Sequence, residues 1–225
     1  LQPKNSHLFD INKELIVTYR QVRDNPEELA SRVKLLEERH SESEYYAVRA
    51  LDRDPNWSTA SELDVASRLL YLNKACFNGL YRVNSKGYFN SPIGTAKTKL
   101  DKEELLEASK ALQGVAITQG SFKDIASGIK PNSFVYLDPP YAPVSATSNF
   151  ANYSAGGFSL QDQIDLVKHV DILTQNGIKV MVSNSWCDFT RDLYKHLNCY
   201  EVKASRVLNS KGSGRGKVSE IIACN

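Results

Sequence analysis

Residues 134–141 read FVYLDPPY, a short apolar run that stops at Asp138-Pro139-Pro140-Tyr141. Pro131 and Asn132 bound it on one side and two prolines on the other, so it reads as a buried strand. The prolines end it, because neither has an N–H to continue a sheet ladder. Open α/β sheets hold their ligands at the carboxyl ends of strands. The edge predicted here carries the carboxylate of Asp138, carbonyls of fixed direction and the aromatic face of Tyr141. These parts suit a planar ring bearing an exocyclic NH2 group. The carboxylate and the Pro139 carbonyl can accept the two N–H bonds, and Tyr141 can stack on the ring. The plainer reading is a strand-to-turn junction with an exposed tyrosine.

Outward from that strand the pattern is α/β. Downstream, the spacing predicts a helix over 159–175 capped by Ser159, a strand over 179–184 and a helix near 187–197. Strands over 201–208 and 220–225 follow, joined by a Gly/Ser/Lys/Arg loop. With no helix between them, the last two strands should form an antiparallel hairpin. Upstream, a strand over 114–120 follows a helix over roughly 101–112. Nearer the start, HLFDI (7–11) reads as a strand and 13–23 as a helix. Asn25-Pro26-Glu27-Glu28 reads as a helix start with Asn25 at the cap, running to about His40. Residues 41–61 are polar and irregular, with a short helical stretch near Tyr45–Leu51. Residues 63–76 have the spacing of a mostly buried helix. Strands alternating with helices predict a mainly parallel sheet.

Composition narrows the classes. The chain has 225 residues, enough for one large domain or a domain with a subdomain. A net charge of +2 gives no global basic field, so any polyanion contact must come from local clusters. The four cysteines show no C-x-x-C pairing and the four histidines no metal-ligand spacing. No apolar run approaches the ~20 residues of a membrane span. The expectation is a soluble cytoplasmic protein with no metal and no membrane partner.

Three further segments carry candidate chemistry. Asp10 ends the first strand, where an acid commonly accepts hydrogen bonds from ribose hydroxyls. It could equally cap the next helix, although Asn12 competes for that position. Gly120-Ser121-Phe122 follows a strand and offers an aromatic ring for adenine, or simply a turn with a core phenylalanine. Residues 77–92 interleave Phe77, Asn78, Leu80, Arg82, Asn84, Asn90 and Pro92 around a turn at Ser85-Lys86-Gly87. Arg can pair with guanine, Asn with adenine or phosphate, and Leu or Pro can touch a thymine methyl. Aromatic and Asn side chains can wedge into an opened base step. The alternative is an ordinary surface hairpin. Lys203, Arg206, Lys211, Arg215 and Lys217, set among three glycines, could track a phosphate backbone or form a solvated loop.

Together these residues resemble the Dam family of S-adenosylmethionine-dependent DNA adenine-N6 methyltransferases. The resemblance spans nearly the whole chain, in the family's order. It runs through FDINKELI, LYLNKACFNGLYRVN, GYFNSPIG, YLDPPYAPVSATSNF and KVSEII. The stretch after DPPY looks like enzymes that methylate GATC. The resemblance implies a Rossmann-like methyltransferase sheet over 1–40 and 101–225. It implies a mainly helical target-recognition subdomain over 41–100 that carries the DNA-reading hairpin. It also implies S-adenosyl-L-methionine as cofactor and double-stranded DNA as partner, with the adenine flipped into the DPPY pocket. Asp138, Pro139, Pro140 and Tyr141 match the catalytic motif. Asp10 with Ile11, Ser121, Phe122 and Asp138 match the cofactor positions, although the family often has Asp where Ser121 stands. Phe77, Asn78, Leu80, Arg82, Asn84, Asn90 and Pro92 match the DNA-reading hairpin, and Lys211 and Arg215 are candidate phosphate contacts.

The family's Gly-Lys helix start and F-x-G-x-G cofactor loop are not found in these residues. The expectation is an upstream segment that carries them together with a central strand. A binding module that holds DNA without chemistry is the second reading, separable by a cofactor titration. Methylation of RNA or of a protein glutamine is a third. Such enzymes usually carry Asn in place of Asp138 and lack the hairpin.

Overall fold

The computed structural model describes residues 3, 5–95, 99–125, 129–143, 157–205 and 217–225. The chain divides into two units, Leu1–Ser121 and Phe122–Asn225.

The first unit opens with β1 (His7–Asp10), which pairs in parallel with β2 (Ala116–Gln119) from His7 opposite Ala116 to Asp10 opposite Gln119. Between them, among the described residues, come five α-helices: α1 (Lys13–Asp24), α2 (Pro26–Glu38), α3 (Glu42–Ala50), α4 (Glu62–Ala75) and α5 (Lys102–Leu112). Asn12 caps α1, its side chain accepting from the Leu15 N–H at 3.3 Å. The helices bury two apolar clusters. Val22, Leu29, Ala30, Val33, Ala66 and Leu105 form one. Tyr45, Val48, Tyr71, Leu72, Ala75, Cys76 and Phe89 form the other, which ties the segment after α4 to α3.

The second unit holds β3 (Phe134–Leu137), α6 (Leu160–Gln175), β4 (Lys179–Ser185), α7 (Asp188–Leu193), β5 (Asn198–Ser205) and β6 (Lys217–Cys224). The strand order is β3-β4-β6-β5. β3 and β4 are parallel, whereas β6 runs antiparallel to both β4 and β5. Ser159 starts α6 with a capping box, exchanging hydrogen bonds with Asp162. A cap contributes ~1 kcal/mol. Leu166, Val167, Val170 and Leu173 are buried against Val135, Leu137, Val180 and Val182, at ~1.5–3 kcal/mol each. Packing therefore holds the helix, and the cap decides where it begins.

Several expectations are corrected. The sheet is mixed, because β6 returns between β4 and β5 and runs against both. β3 is buried on one face only: Val135 and Leu137 are in the core, but Phe134 and Tyr136 are 61% and 53% exposed. The strand lies at the edge of its four-stranded sheet, with β4 as its partner. Asn25 occupies the cap position of α2 without a side-chain cap bond. Its amide donates instead to Gln21 at 2.9 Å. The helix expected over 187–197 ends at Leu193, since β5 begins at Asn198 and the chain must turn first; Leu197 donates back to the Tyr194 carbonyl at 2.8 Å.

Among the described residues, no helix is long and apolar enough to cross a membrane. No group of three or more His, Cys, Asp or Glu among them is placed to hold a metal ion.

Candidate functional site

In the second unit, the end of β3 is held by a polar network. Tyr136 donates its hydroxyl to Ser183 at 3.0 Å, and Ser183 donates to Asp138 Oδ1 at 2.6 Å. The chain of donors points one way, so each bond polarises the next. Asp138 itself is exposed. Its Oδ2 takes no protein hydrogen bond among the described residues.

The proline carbonyls differ. Pro140 accepts from Gln163 Nε2 at 2.7 Å. Pro139 has no protein donor among the described residues. Gln163 is held in turn by Asn184, which donates to its Oε1 at 3.0 Å. Asn184 Oδ1 accepts from the Ala142 N–H at 2.8 Å and the Ser185 N–H at 2.9 Å. Asn184 is fully buried and Gln163 nearly so. Buried amides of this kind are tolerated because they are paired, and here they clamp the backbone around Pro140 and Ala142. The edge therefore leaves one carboxylate oxygen and one carbonyl for a ligand.

Tyr141 is half-buried and donates to Glu220 Oε2 at 3.3 Å. β6 brings Glu220 there, opposite Ser185 of β4. Burial raises the Tyr141 pKa, and the nearby Asp138 and Glu220 carboxylates add to the rise. The ring stays a neutral phenol with its hydroxyl tethered. Phe122 packs edge-on against Phe158, centroids 5.7 Å apart, and against His169 at 5.9 Å.

The other candidates lie in the first unit. Asp10 is half-buried, and its Oδ1 accepts from the Asn12 N–H at 2.7 Å. It does not cap α1, and its Oδ2 has no partner among the described residues. Ile11 beside it is 75% exposed. Ser121 is half-buried.

The segment after α4 forms the expected hairpin. Val83 bridges Phe89, and the Asn90 N–H donates to the Arg82 carbonyl at 2.8 Å. Asn84 Oδ1 accepts from Lys86 N–H at 2.9 Å and Tyr88 N–H at 3.1 Å, which builds the turn. Gly87 sits there at φ 81°, a conformation glycine adopts without steric cost. At the base, the Phe77 N–H donates to Pro92 and the Gly94 N–H to Ala75, at 2.9 and 2.8 Å. Tyr45 and Arg49 of α3 both donate to the Ser91 carbonyl, at 2.9 and 3.1 Å.

On this base Phe77, Asn78, Leu80, Arg82 and Pro92 are exposed, and Asn84 and Asn90 half-buried. Asn78 holds φ 55°. Arg82 donates Nε to Asn90 Oδ1 at 2.7 Å and Nη2 to the Asn90 carbonyl at 3.1 Å. That clamp uses the Nε edge of the guanidinium and leaves the end-on pair of Nη donors. Asn84 and Asn90 have their side-chain oxygens occupied and keep amide donors. Lys211 and Arg215 lie outside the described residues.

Ser183, Asn184, Gln163, Glu220 and Tyr136 were not among the sequence candidates. The signal for two of them was a polar Ser183-Asn184-Ser185 run ending an apolar strand, beside the DPPY edge.

Comparison with known proteins fits this arrangement. The chain matches the model of the D12 class N6 adenine-specific DNA methyltransferase family over residues 1–208. It belongs to that family and is an adenine-specific DNA methyltransferase, an enzyme that methylates adenine in DNA. A type II methyltransferase of Lactococcus lactis subsp. cremoris is 39% identical over 229 residues, covering 100% of this chain and 81% of the relative. The DNA adenine methylase of Serratia marcescens is 34% identical over 221 residues, covering 96% of this chain and 80% of the relative. The DNA adenine methylase of Salmonella typhi is 36% identical over 220 residues, covering 96% and 77%.

Proposed function

We propose that the chain transfers a methyl group from S-adenosylmethionine to N6 of adenine within GATC in double-stranded DNA, the adenine being turned out of the helix. The observation that carries this reading is the strand end at Asp138. Among the described residues two acceptors, Asp138 Oδ2 and the Pro139 carbonyl, are left without protein donors, and the tethered ring of Tyr141 follows two residues on. An adenine N6 has two protons to give and a face to stack.

The adenine amine is a poor nucleophile because its lone pair is delocalised into the ring. Accepting both its protons favours a more tetrahedral nitrogen and fixes its direction. The gain is orientation and electrostatic pre-organisation. The Tyr136–Ser183 relay holds the carboxylate, so little reorganisation is needed when the base arrives. Extrusion costs a few kcal/mol of unstacking.

Each unit, taken by itself, has residues suited to part of the cofactor. Asp10 keeps one carboxylate oxygen for ribose hydroxyls at the end of β1, Ile11 offers apolar surface, and Phe122 offers an aromatic ring. S-adenosylmethionine supplies, when bound, a methyl group made electrophilic by its sulfonium. Residues 1–40 and 101–225 then serve catalysis on a Rossmann-like sheet, and 41–100 serve target recognition. In the hairpin, Arg82 reads guanine, Asn84 and Asn90 offer amide donors to phosphate, and Phe77 and Asn78 fill space around the opened pair. Lys211 and Arg215 add phosphate contacts.

The test is transfer of labelled methyl from S-adenosylmethionine to a GATC duplex and to one already N6-methylated. Label should enter the first duplex and not the second. A folded protein that labels neither, nor any other adenine-containing duplex, overturns the proposal.

A further inference from the structure

Arg68 on α4 is a fully buried side chain, 1% exposed, that the chemistry above does not use. A guanidinium in that setting is tolerable only when thoroughly paired. Its Nη1 donates to Glu14 Oε1 at 3.2 Å, Nε to the Val48 carbonyl at 3.1 Å and Nη2 to the Arg49 carbonyl at 2.9 Å. Nη2 also pairs with Asp52 Oδ2 at 2.7 Å. Trp57 lies against it, ring centroid 5.3 Å from the guanidinium carbon, and donates to Glu14 at 3.4 Å.

The two acids lead in opposite directions. Asp52 Oδ2 accepts the Phe89 N–H at 2.7 Å, and Asp52 Oδ1 accepts from Arg53 at 2.6 Å. Arg53 also donates to the Phe89 carbonyl at 2.9 Å. Both backbone polar groups of Phe89 are thereby held from outside the hairpin. The next residue, Asn90, clamps Arg82. Glu14 lies in the first turn of α1. That turn begins at Asn12, whose N–H is bound by Asp10.

We infer that Glu14, Arg68 and Asp52 are positioning residues that hold the DNA-reading hairpin in one relation to the turn carrying Asp10. Cofactor binding at Asp10 and site discrimination by the hairpin are coupled through them. The inference rests on the function proposed above. Its physical basis is that an apolar trio would bury as well or better. It would not, however, impose a single geometry on Phe89 and on the start of α1.

Asp52→Asn in the full protein is the informative change, because it keeps the shape and removes the charge between two guanidinium groups. Glu14→Gln, at the more exposed end, covers the case in which Asp52→Asn does not fold. Affinity is measured for a GATC duplex and a duplex with one changed base pair, each with and without S-adenosylhomocysteine, beside thermal unfolding and methyl transfer. The variant should lose about tenfold in the ratio of the two affinities, and the nucleoside's effect on GATC binding should shrink. A folded variant that keeps both quantities, whatever its melting temperature, shows a purely structural network and overturns the inference. A wild type that methylates no duplex overturns the proposed function and this inference with it. A wild type that does, beside an unchanged variant, overturns the network alone.

Discussion

Asp138 receives its one hydrogen bond among the described residues from Ser183, itself 1% exposed and held by Tyr136. The carboxylate and its orientation are therefore separable by mutation. Asp138→Ala removes the acceptor proposed above for the reacting amine. Methyl transfer should fall ~10²–10³-fold or more, the scale seen when one pre-organised polar group is lost, while duplex affinity stays near wild type. Single-turnover transfer with a parallel binding titration decides it, and near-normal turnover sinks the role. Ser183→Ala keeps the carboxylate but frees its rotation. The expected loss is smaller, about tenfold, falls on kcat and leaves KM for DNA unchanged. A raised KM with normal kcat would mean that Ser183 serves binding instead. The strand end that carries Asp138 and Tyr141 was legible in the sequence because two prolines mark where a strand must stop. Ser183 was not, since a serine within an apolar strand shows its partner only once β3 and β4 lie side by side.

The hairpin after α4 shows what an element adds. Its turn was readable from Ser85-Lys86-Gly87, and its aromatic and basic mixture suggested a nucleic-acid surface. The inward use of Asn84 and Asn90 was not readable, because an asparagine that builds a turn and one that meets a phosphate look alike in sequence. Arg82 keeps its end-on donors despite the Asn90 clamp. Arg82→Ala should therefore relax discrimination at a single guanine, by ~1–3 kcal/mol. Methylation of duplexes carrying each single change in GATC tests this, and an equal loss on every duplex would make Arg82 a phosphate contact or a support. The base of the element is equally exacting. A Cβ added to Gly94 would lie 2.7 Å from the Cys76 carbonyl oxygen. Gly94→Ala should therefore push Ile93 and Gly94 off the end of α4, at ~1–3 kcal/mol of strain. The expected sign is faster amide exchange over 77–94 with the rest of α4 still protected. Unchanged exchange would show that the backbone yields elsewhere.

At the scale of the molecule, alternation of strands and helices was legible, and so was the antiparallel ending. The order β3-β4-β6-β5 was not, since no local pattern says that the last strand returns to lie between two earlier ones. That return also places Glu220 beside Tyr141, a pairing separated by most of a unit in sequence. The same packing gives the second unit a sensitivity to acid. His169 on α6 is 6% exposed, and its Nε2 is buried without a hydrogen-bond partner among the described residues. Burial pushes its pKa below the ordinary value of 6.5. The unfolded chain therefore takes up a proton near pH 6.5 that the folded chain refuses until lower pH. Above that range His169 is neutral in both states and adds no pH dependence. As pH falls through it, protons favour the unfolded state, and stability declines until the folded group titrates as well. His169→Leu removes this term and suits a site walled partly by the Phe122 ring. Between about pH 7.5 and about pH 5.5 the variant should lose less melting temperature than wild type, with the gap opening only below about pH 6.5. Parallel pH profiles for the two proteins would mean that this histidine is protonated in place at no cost, and the acid sensitivity would have to come from the carboxylates.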